Sequence, residues 1–410
     1  MIRFLIILLF FLPQFVQAGT IRVGPSRKVK TLREGIMLAL DGDTLLLEKG
    51  VYKEHNNVIT KSIYLIGVGD PVLDGEGKYE ILTLSGHHIL VSGIHFRDGG
   101  YSSMNDFAAL KIVDATAITV ENNIVDNSAF AIHISNSTNS TIRNNRIAGS
   151  NKSEHLAGNG IHLWKCSNML IENNQIHGHR DGIYFEFVTG SIIRKNLSER
   201  NVRYGLHFMF SHNDRYLGNT FRNNGAGVAV MYTHDVYMEN NLFENNWGAS
   251  AYGLLLKELS GSSVINNRFI GNTIAIHMEG SSRMEVAGNL FKSNGWALKV
   301  QASCDDNTFH HNNFFSNSFD VATNGTMMLN RFYNNYWDRY EGYDLNKDGI
   351  GDIPYHPVSM YSMVIEQNPP AVILMRSFMV SLLDKAEKAI PSLTPEKLVD
   401  ETPVIKPNKG

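Results

Sequence analysis

Residues 219–246 read NTFRNNGAGVAVMYTHDVYMENNLFENN, and this stretch carries one six-residue motif at each end. The two copies are Asn219-x-Phe221-x-x-Asn224 and Asn241-x-Phe243-x-x-Asn246. Between them, Gly227-Val-Ala-Val230 has the small and β-branched side chains that are typical of a short strand. One turn of a repeating structure therefore occupies about 22 residues, the separation of the two copies.

The motif Asn-x-[Ile/Phe]-x-x-Asn recurs on both sides of this stretch. Complete copies begin at Asn122, Asn219, Asn241, Asn267, Asn289, Asn312 and Asn330, and partial copies begin at Asn145, Asn174 and Asn196. Most steps between successive first asparagines are 22 or 23 residues long. A period this regular indicates a solenoid with one repeat per coil. The amides of successive coils, about 4.8 Å apart, are expected to hydrogen-bond as ladders.

Strands that begin with glycine mark a second side of each coil. They start at Gly160, Gly182, Gly205 and Gly227. Alternation with period two turns Ile161 and Leu163 inward and His162 outward, so stacked coils enclose an apolar core. Parallel crossover connections are overwhelmingly right-handed. The sequence therefore predicts an all-β fold, a single right-handed parallel β-helix.

The N-terminal part predicts export and a covered solenoid end. Residues 1–18 have the short basic start and apolar core of a secretory signal peptide, removed near Ala18, which predicts a periplasmic protein, or a secreted one if the host lacks that compartment. Residues 19–340 are assigned to the β-helix. Thr31 with Glu34 forms a capping box that predicts a capping helix at its start.

The C-terminal part is predicted to close the other end. Residues 341–368 hold a calcium-loop-like segment and the closure, and residues 369–410 hold a helix and an extended tail. The apolar segment 371–383 is too short to span a membrane, so we interpret it as a cap or docking helix. The Pro-, Lys- and Glu-rich tail from 391 to 410 is predicted to be extended or disordered.

The charge and the cysteine positions argue against nucleic acid binding and against an intramolecular disulfide. The net charge of −3 comes without a basic stripe, so nothing favours nucleic acid binding. Cys166 and Cys304 are the only cysteines and lie six coils apart, about 29 Å, so no intramolecular disulfide joins them.

Alignment of the glycine-initiated strands predicts one candidate copper patch. Met209 should stack on Met231, and His212 should stack on His234, each one coil apart. Thioether and imidazole groups suit Cu(I) and Cu(II), so a transiently bound copper ion is a hypothesis here. The alternative is that stacked like residues are ordinary β-helix ladders or a partner-contact surface.

The same alignment predicts a bounded partner surface. Insertions at about 151–157 and 247–251 leave one corner of the coil and flank it. The surface contains Tyr184, Glu186, His207, Met209 and Met231. Surface loops of this kind often serve partners, although tolerated insertions are equally common.

A third candidate site follows the last coils. Asp344, Asn346, Asp348 and Asp352 have the spacing of a calcium loop, with Gly349 at its sixth position. Tyr355 stands where the bidentate acid is expected. A structural calcium ion is therefore one interpretation, and a turn rich in Asp and Asn is the other.

An enzyme is the competing function class. Polysaccharide lyases and epimerases with parallel β-helices need clustered carboxylates and basic groups. The central outward columns offer Glu186, Tyr184 and His207, with no Arg or second carboxylate in the adjoining columns. The sequence therefore favours a non-enzymatic protein, unless an elongated cleft lined by acids and bases crosses several coils.

One C-terminal block resembles a known family. FDVATN at 319–324, NYWDRYEGYD at 335–344, DGIGDIPY at 348–355 and Pro357-Val358 are similar to the NosD family, periplasmic maturation proteins for nitrous oxide reductase. This resemblance implies a non-enzymatic docking platform in assembly of the copper-sulfide centre. It implies three partners: the membrane permease of an ABC transporter, a copper chaperone and the reductase. Segment 371–383 is then a reasonable permease-docking element.

Overall fold

The computed structural model describes residues 18–102, 105–150, 157–325, 329–375, 377–389 and 398–409. In these ranges the chain winds through about 13 turns of a parallel β-solenoid with three long sheets. The predicted parallel β-helix is confirmed. The predicted signal peptide lies outside the described residues except for Ala18. Within the described part of the chain, no helix is both long and apolar enough to cross a membrane.

Sheet A forms one wall, and its inward side chains are chiefly aliphatic. Its strands are β1 (Thr20–Val23), β2 (Thr44–Glu48), β5 (Tyr64–Val68), β8 (Leu90–Ser92), β11 (Thr119–Glu121), β14 (Thr141–Arg143), β17 (Leu170–Glu172), β20 (Ile192–Arg194), β23 (Arg215–Leu217), β26 (Tyr237–Glu239), β29 (Ser263–Ile265), β32 (Glu285–Ala287), β35 (Thr308–His310) and β38 (Arg331–Tyr333). Each strand pairs in parallel with the next coil, so one apolar position per strand stacks along the core.

Sheet B contains the Phe position of the repeat. Its strands are β3 (Val51–Tyr52), β6 (Val72–Asp74), β9 (His95–Arg97), β12 (Ile124–Asp126), β15 (Arg146–Ala148), β18 (Gln175–His177), β21 (Leu197–Glu199), β24 (Thr220–Arg222), β27 (Leu242–Glu244), β30 (Arg268–Ile270), β33 (Leu290–Lys292), β36 (Asn313–Phe315) and β39 (Tyr336–Trp337). From Phe221 to Trp337, buried aromatic rings stack coil upon coil with centroids 4.0–5.6 Å apart.

Sheet C contains the glycine-initiated strands. Its strands are β4 (Asn57–Ile59), β7 (Leu82–Leu84), β10 (Ala108–Val113), β13 (Phe130–Ser135), β16 (Ile161–Trp164), β19 (Asp181–Glu186), β22 (Tyr204–Met209), β25 (Ala226–His234), β28 (Tyr252–Ser260), β31 (Ile274–Glu279), β34 (Trp296–Val300) and β37 (Phe319–Ala322). Its outer face carries the predicted partner surface.

Two asparagine ladders hold the coils in register. The longer ladder contains Asn123, Asn145, Asn174, Asn196, Asn219, Asn241, Asn267, Asn289, Asn312 and Asn335, and the shorter contains Asn201, Asn224, Asn246, Asn272, Asn294 and Asn317. At Asn241 the backbone N–H and Nδ2 donate to Oδ1 of Asn267 at 2.8 and 2.9 Å, and Nδ2 also donates to the Tyr216 carbonyl. The predicted amide ladder is therefore present, with every amide hydrogen of such a residue used.

The repeat register differs from the sequence alignment at both ends. Asn123 rather than Asn122 begins the ladder, and Asn335 rather than Asn330 continues it. The sequence presents Asn-Asn pairs in which the two residues have different tasks. Asn122 adopts a left-handed φ of 58° and makes the turn, while Asn123 enters the ladder. The motif alone does not distinguish them, because asparagine suits both positions.

Helices cover parts of the solenoid. Helix α1 (Leu32–Leu38) begins at its N-cap Thr31, whose hydroxyl accepts from the Glu34 N–H as predicted. Near the other end, α2 (Met360–Gln367), a 3-10 helix (Pro369–Leu374) and α3 (Phe378–Ala389) follow one another. Tyr361, Ile365 and Val380 from α2 and α3 pack on Phe319 of sheet C.

The C-terminal tail is extended and packed where the structure describes it, so the extended form of the two that the sequence predicted is present there. Residues 398–409 are largely extended, but they lie against the last coil. Oδ2 of Asp400 accepts from the backbone N–H and Nδ2 of Asn335 and from Nε1 of Trp337, at 3.0–3.2 Å. Asn408 exchanges hydrogen bonds with Asn313. The tail is thus the final cover of the solenoid, and Asp400 ends the longer ladder.

Both cysteines are free and buried, which confirms that no disulfide joins them. Burial raises the pKa of the Cys166 thiol to about 11. Its Sγ lies 3.4 Å from the Trp164 carbonyl, as a weak donor. Such a thiol is inert because the reactive thiolate is not formed at neutral pH.

One interior carboxyl makes stability depend on pH. Asp214 is fully buried; its Oδ1 accepts from the Ser191 N–H, and its Oδ2 has no hydrogen-bond partner among the described residues. Burial raises the pKa of Asp214 from 3.8 to about 8. The folded protein therefore keeps this group protonated over a range in which the unfolded chain ionises it. Its contribution to stability is full at low pH and is lost as pH rises toward 8.

We predict that Asp214→Asn removes this pH dependence. The amide keeps the acceptor for Ser191 and cannot ionise, so the variant should gain stability over wild type as pH rises from 5 to 8, by up to about 1.4 kcal/mol per pH unit. Thermal melting of both proteins at several pH values measures this. A difference in melting temperature that stays constant with pH would contradict it.

Candidate functional site

The outer face of sheet C has the residue register that the alignment predicted. Tyr184 pairs with His207, and His207 pairs with Ala229. In the next outward column, Glu186 pairs with Met209, and Met209 pairs with Met231. The five residues of the predicted partner surface therefore lie on three adjacent strands of one face.

The first outward column is an aromatic stack that is mostly covered. The rings of His133 and His162 lie 4.7 Å apart, His162 and Tyr184 also 4.7 Å, and Tyr184 and His207 5.1 Å. Burial lowers the pKa of His162 to about 3. Burial, with the nearby Glu186, raises the pKa of Tyr184 to about 12. At neutral pH this column therefore presents a neutral His162 and a Tyr184 hydroxyl that donates to Glu186 Oε2 at 3.2 Å.

A buried ion pair lies at the edge of this stack, and the sequence interpretation missed it. Asp181 is fully buried, and Arg203 binds it with Nε and Nη2 at 2.9 and 2.5 Å. Burial works to raise the pKa of Asp181, but hydrogen bonds from His207 and Arg203 hold it below its ordinary value. The sequence alignment considered only the two outward columns, and this Arg and carboxylate lie outside both of them. The available signal was their position at the start of neighbouring strands, since Asp181 is the first residue of β19 and Arg203 directly precedes β22.

The ion pair also contacts His207. Its Nδ1 lies 3.2 Å from Arg203 Nη2, which only donates, and 3.6 Å from Asp181 Oδ2, which only accepts. His207 therefore contacts both members of the ion pair through one ring nitrogen.

The structure brings the predicted copper residues together as two pairs. Met209 and Met231 are paired, half-buried neighbours on β22 and β25. The rings of His212 and His234 stack at 4.0 Å with an interplanar angle of 11°. Because imidazole nitrogens coordinate in the ring plane, two parallel stacked rings do not converge on one ion.

The two histidines differ in their hydrogen bonds. Nδ1 of His212 accepts from the His234 backbone N–H at 3.3 Å, so its proton lies on Nε2. Nδ1 of His234 lies 2.7 Å from Oδ2 of Asp235 and donates to it, which leaves Nε2 free to bind a metal. A carboxylate behind one ring nitrogen is the usual support of a metal-binding histidine. His234 is thus the histidine of this pair with ligand geometry.

The predicted calcium loop is exposed and held by its own hydrogen bonds. Asp344 accepts from the backbone N–H groups of Asp348 and Gly349 at 3.2 and 2.9 Å, and Asp352 accepts from Leu345 at 2.6 Å. The carboxylates therefore face loop N–H groups. No cluster of three or more His, Cys, Asp or Glu suited to a metal occurs among the residues that the structure describes.

A groove of about 450 Å³ lies on the outer face of sheet B. It crosses five coils, from β9 to β21, and its lining includes His95, Asp126, Arg146, His177 and Glu199. His95 Nε2 and Asp126 Oδ2 are 2.7 Å apart, and Glu199 pairs with Arg222. A cleft lined by acids and bases is therefore present, but on a different face from Met209 and Met231.

A family profile and two named relatives are similar to this chain. The profile of a family described as "Periplasmic copper-binding protein (NosD)" matches residues 150–347. A Pseudomonas aeruginosa PAO1 protein named "Probable ABC transporter binding protein NosD" is 27% identical over 394 residues, covering 91% of each chain. A protein of the same name from Stutzerimonas stutzeri is 25% identical over 382 residues, covering 82% of this chain and 80% of its own.

Among solved structures, the A-module of the mannuronan C-5 epimerase AlgE4 from Azotobacter vinelandii is similar, with a TM-score of 0.52 and 13% identity. The match covers 70% of this chain and 90% of the module. At that identity it shows the fold alone. The family profile and the two relatives agree with the C-terminal motifs, and together they support membership of the chain in the NosD family.

Proposed function

We propose that this protein is a periplasmic assembly platform that holds copper transiently during maturation of the copper-sulfide centre of nitrous oxide reductase. The observation that carries the proposal is the paired thioethers of Met209 and Met231 on the half-buried outer face of sheet C. Thioether sulfur is a soft ligand that selects Cu(I). The copper-binding description of the family supports the same metal. Copper is cargo here, to be received and released.

The proposed copper ligands are three of the four residues predicted from the sequence. Met209 and Met231 supply sulfur, and His234, supported by Asp235, supplies the one imidazole nitrogen of the stacked pair that is free. His212 instead orders the backbone of its neighbour. A surface site with few ligands suits transfer, because the ion must leave it again.

We predict that Met209→Leu with Met231→Leu weakens Cu(I) binding at least about tenfold. Leucine conserves the packing volume and removes the sulfur. Titration against a colorimetric Cu(I) chelator measures the affinity, with Met37→Leu and Met379→Leu, two exposed methionines elsewhere, as the matched control. His234→Gln should weaken binding, and His212→Gln should not. Unchanged affinity in the double Leu variant would contradict the site.

The function itself is tested in a deletion strain. Complementation with wild type should restore an exported reductase with a full copper-sulfide centre, while the double Leu variant should give a copper-poor enzyme. Copper content and the visible spectrum of the purified reductase are the measurements. A fully loaded, active reductase in the uncomplemented strain would refute the proposed function.

The docking part of the proposal rests on the C-terminal helices. Val372, Ile373, Leu374, Phe378, Met379 and Leu382 are exposed on the 3-10 helix and α3. Buried residues of α2 and α3 anchor these C-terminal helices on Phe319 of sheet C. Glu366 of α2 also forms an ion pair with Lys299 of sheet C at 2.7 Å. The relatives are named ABC transporter binding proteins. We propose that this exposed apolar face binds the transporter permease, and that the chaperone and the reductase meet the protein elsewhere.

Ile373→Ser with Phe378→Ser should abolish co-purification with the detergent-solubilised transporter without lowering the melting temperature. Both side chains are more than 80% exposed, so their removal costs the fold little. Met37→Ser with Leu38→Ser, exposed on α1, is the control and should still co-purify. Equal recovery of the two variants would contradict this docking face.

The calcium interpretation of the loop at 344–352 stays a prediction. If Asp344, Asn346, Asp348 and Asp352 bind a structural ion, calcium added to chelator-treated protein should raise its melting temperature, because a ligand stabilises the state that binds it. Asp344→Asn with Asp348→Asn should remove that rise. The absence of any rise in wild type would leave a turn stabilised by its own hydrogen bonds.

A carbohydrate-active enzyme is the second candidate function. The groove on sheet B favours it, since it crosses several coils and is lined by His95, Asp126, Arg146, His177 and Glu199. Its carboxylates already have partners in His95 and Arg222, which leaves few free groups for proton transfer. Release of unsaturated sugars from uronate polymers by the purified protein would favour this alternative.

A further inference from the structure

A column of left-handed residues follows the outer face of sheet C. Each of its members comes directly after the paired outward position and has a φ between 48° and 58°. In chain order they are Asp114, Asn136, Lys165, Phe187, Phe210, Tyr232, Glu258 and Gly280. Asp, Asn and Gly are the residues that accept this conformation most readily. Three successive coils instead carry bulky aromatic residues there, at a cost in backbone strain.

These three aromatic residues form an exposed ladder. The Phe187 and Phe210 rings lie 5.4 Å apart, and the Phe210 and Tyr232 rings lie 5.1 Å apart, each pair with an interplanar angle of 13°. Between 36% and 44% of each residue is exposed. Neither the core nor the strand pairing requires these rings. Strained, exposed apolar groups in three consecutive coils therefore indicate a binding role rather than a folding role.

The stacking decides which kind of ligand fits. Because the rings stack face to face along the solenoid axis, each inner face is covered by a neighbour, and the ring edges face solvent. A sugar stacks on a ring face, so the ladder offers it little. Ring edges instead pack against apolar protein side chains, and the sulfur of methionine often lies at such an edge. Aromatic residues are also the groups that most often dominate protein interfaces.

Charges of opposite sign bracket the ladder. Lys165, with its ammonium 4.2 Å from the Trp164 ring centroid, precedes it, and Glu258 follows it; both are exposed. The column from Lys165 to Glu258 spans four coil steps, about 19 Å. It therefore matches an apolar segment with an acidic group at one end and a basic group at the other.

We infer that the ladder of Phe187, Phe210 and Tyr232 docks an apolar segment of a copper-carrying partner protein. The occupant is a copper carrier because Met209 and Met231 directly precede two rungs in the chain, so the surface of a docked protein lies beside both thioethers. This step rests on the proposed function. The docking surface itself rests on strain, exposure and charge.

The test is the triple variant Phe187→Asn, Phe210→Asn and Tyr232→Asn. Asparagine adopts the left-handed conformation easily, so the melting temperature should stay the same or rise. Calorimetric titration with the purified, Cu(I)-loaded copper chaperone of the same organism should show affinity reduced at least about 30-fold. The matched control is Arg200→Asn with Arg283→Asn, which relieves backbone strain at two exposed left-handed residues elsewhere. This control variant should bind the chaperone as wild type does.

Two further measurements separate this inference from the proposed function. Met209→Leu with Met231→Leu should still dock the chaperone while binding Cu(I) weakly, and the triple Asn variant should keep its Cu(I) affinity. If no form of the protein binds copper but docking still needs the ladder, the proposed function fails and the docking surface stands. Should the triple variant fold poorly, Lys165→Glu with Glu258→Lys gives the decision, because it reverses the charges and should weaken docking. Wild-type affinity for the chaperone in either variant, or loss of reductase binding alone, would overturn the inference.

Discussion

The hydrogen bond from one ladder asparagine to the next is the interaction on which the rest of this structure depends. Each amide ties its own backbone N–H and its Nδ2 to the same oxygen of the following coil, so a slip of one residue breaks both bonds. A slip would also exchange the inward and outward sets of every strand in that coil. The ladder therefore decides which side chains become neighbours on the outer face, including Met209 with Met231.

Much of this arrangement can be predicted from the sequence, because the period of the coil and the period of the strand place the same side chains on the outer face. The repeat of about 22 residues sets the length of a coil, and the alternation within each strand decides which side chains point outward. Together they predicted the pairs Tyr184 with His207 and Met209 with Met231. The prediction fails where one residue type serves two geometries. Asn122 and Asn123 are identical in sequence but differ in φ and in task.

Other features depend on contacts that a repeat does not encode. Asp181 begins β19 and Arg203 directly precedes β22, and their bidentate contact needs the exact stagger of two coils. The difference between His212 and His234 lies in which neighbouring group meets Nδ1, a backbone N–H or a carboxylate. The composition of residues 391–410 indicated an extended or disordered tail but no partner for it, whereas Asp400 completes a ladder whose Asn335 lies 65 residues away in sequence.

That aspartate has a consequence for assembly between molecules. An amide both donates and accepts, so a stack of asparagines has a direction and ends in a group that can still pair with another chain. A carboxylate accepts without passing a hydrogen onward, and Asp400 takes the donors of Asn335 and Trp337 together. The open edge of the last coil is then no longer a template for a second molecule. The C-terminal tail therefore acts as a stop at the end of the hydrogen-bonded stack, so that a repeating fold keeps a fixed length.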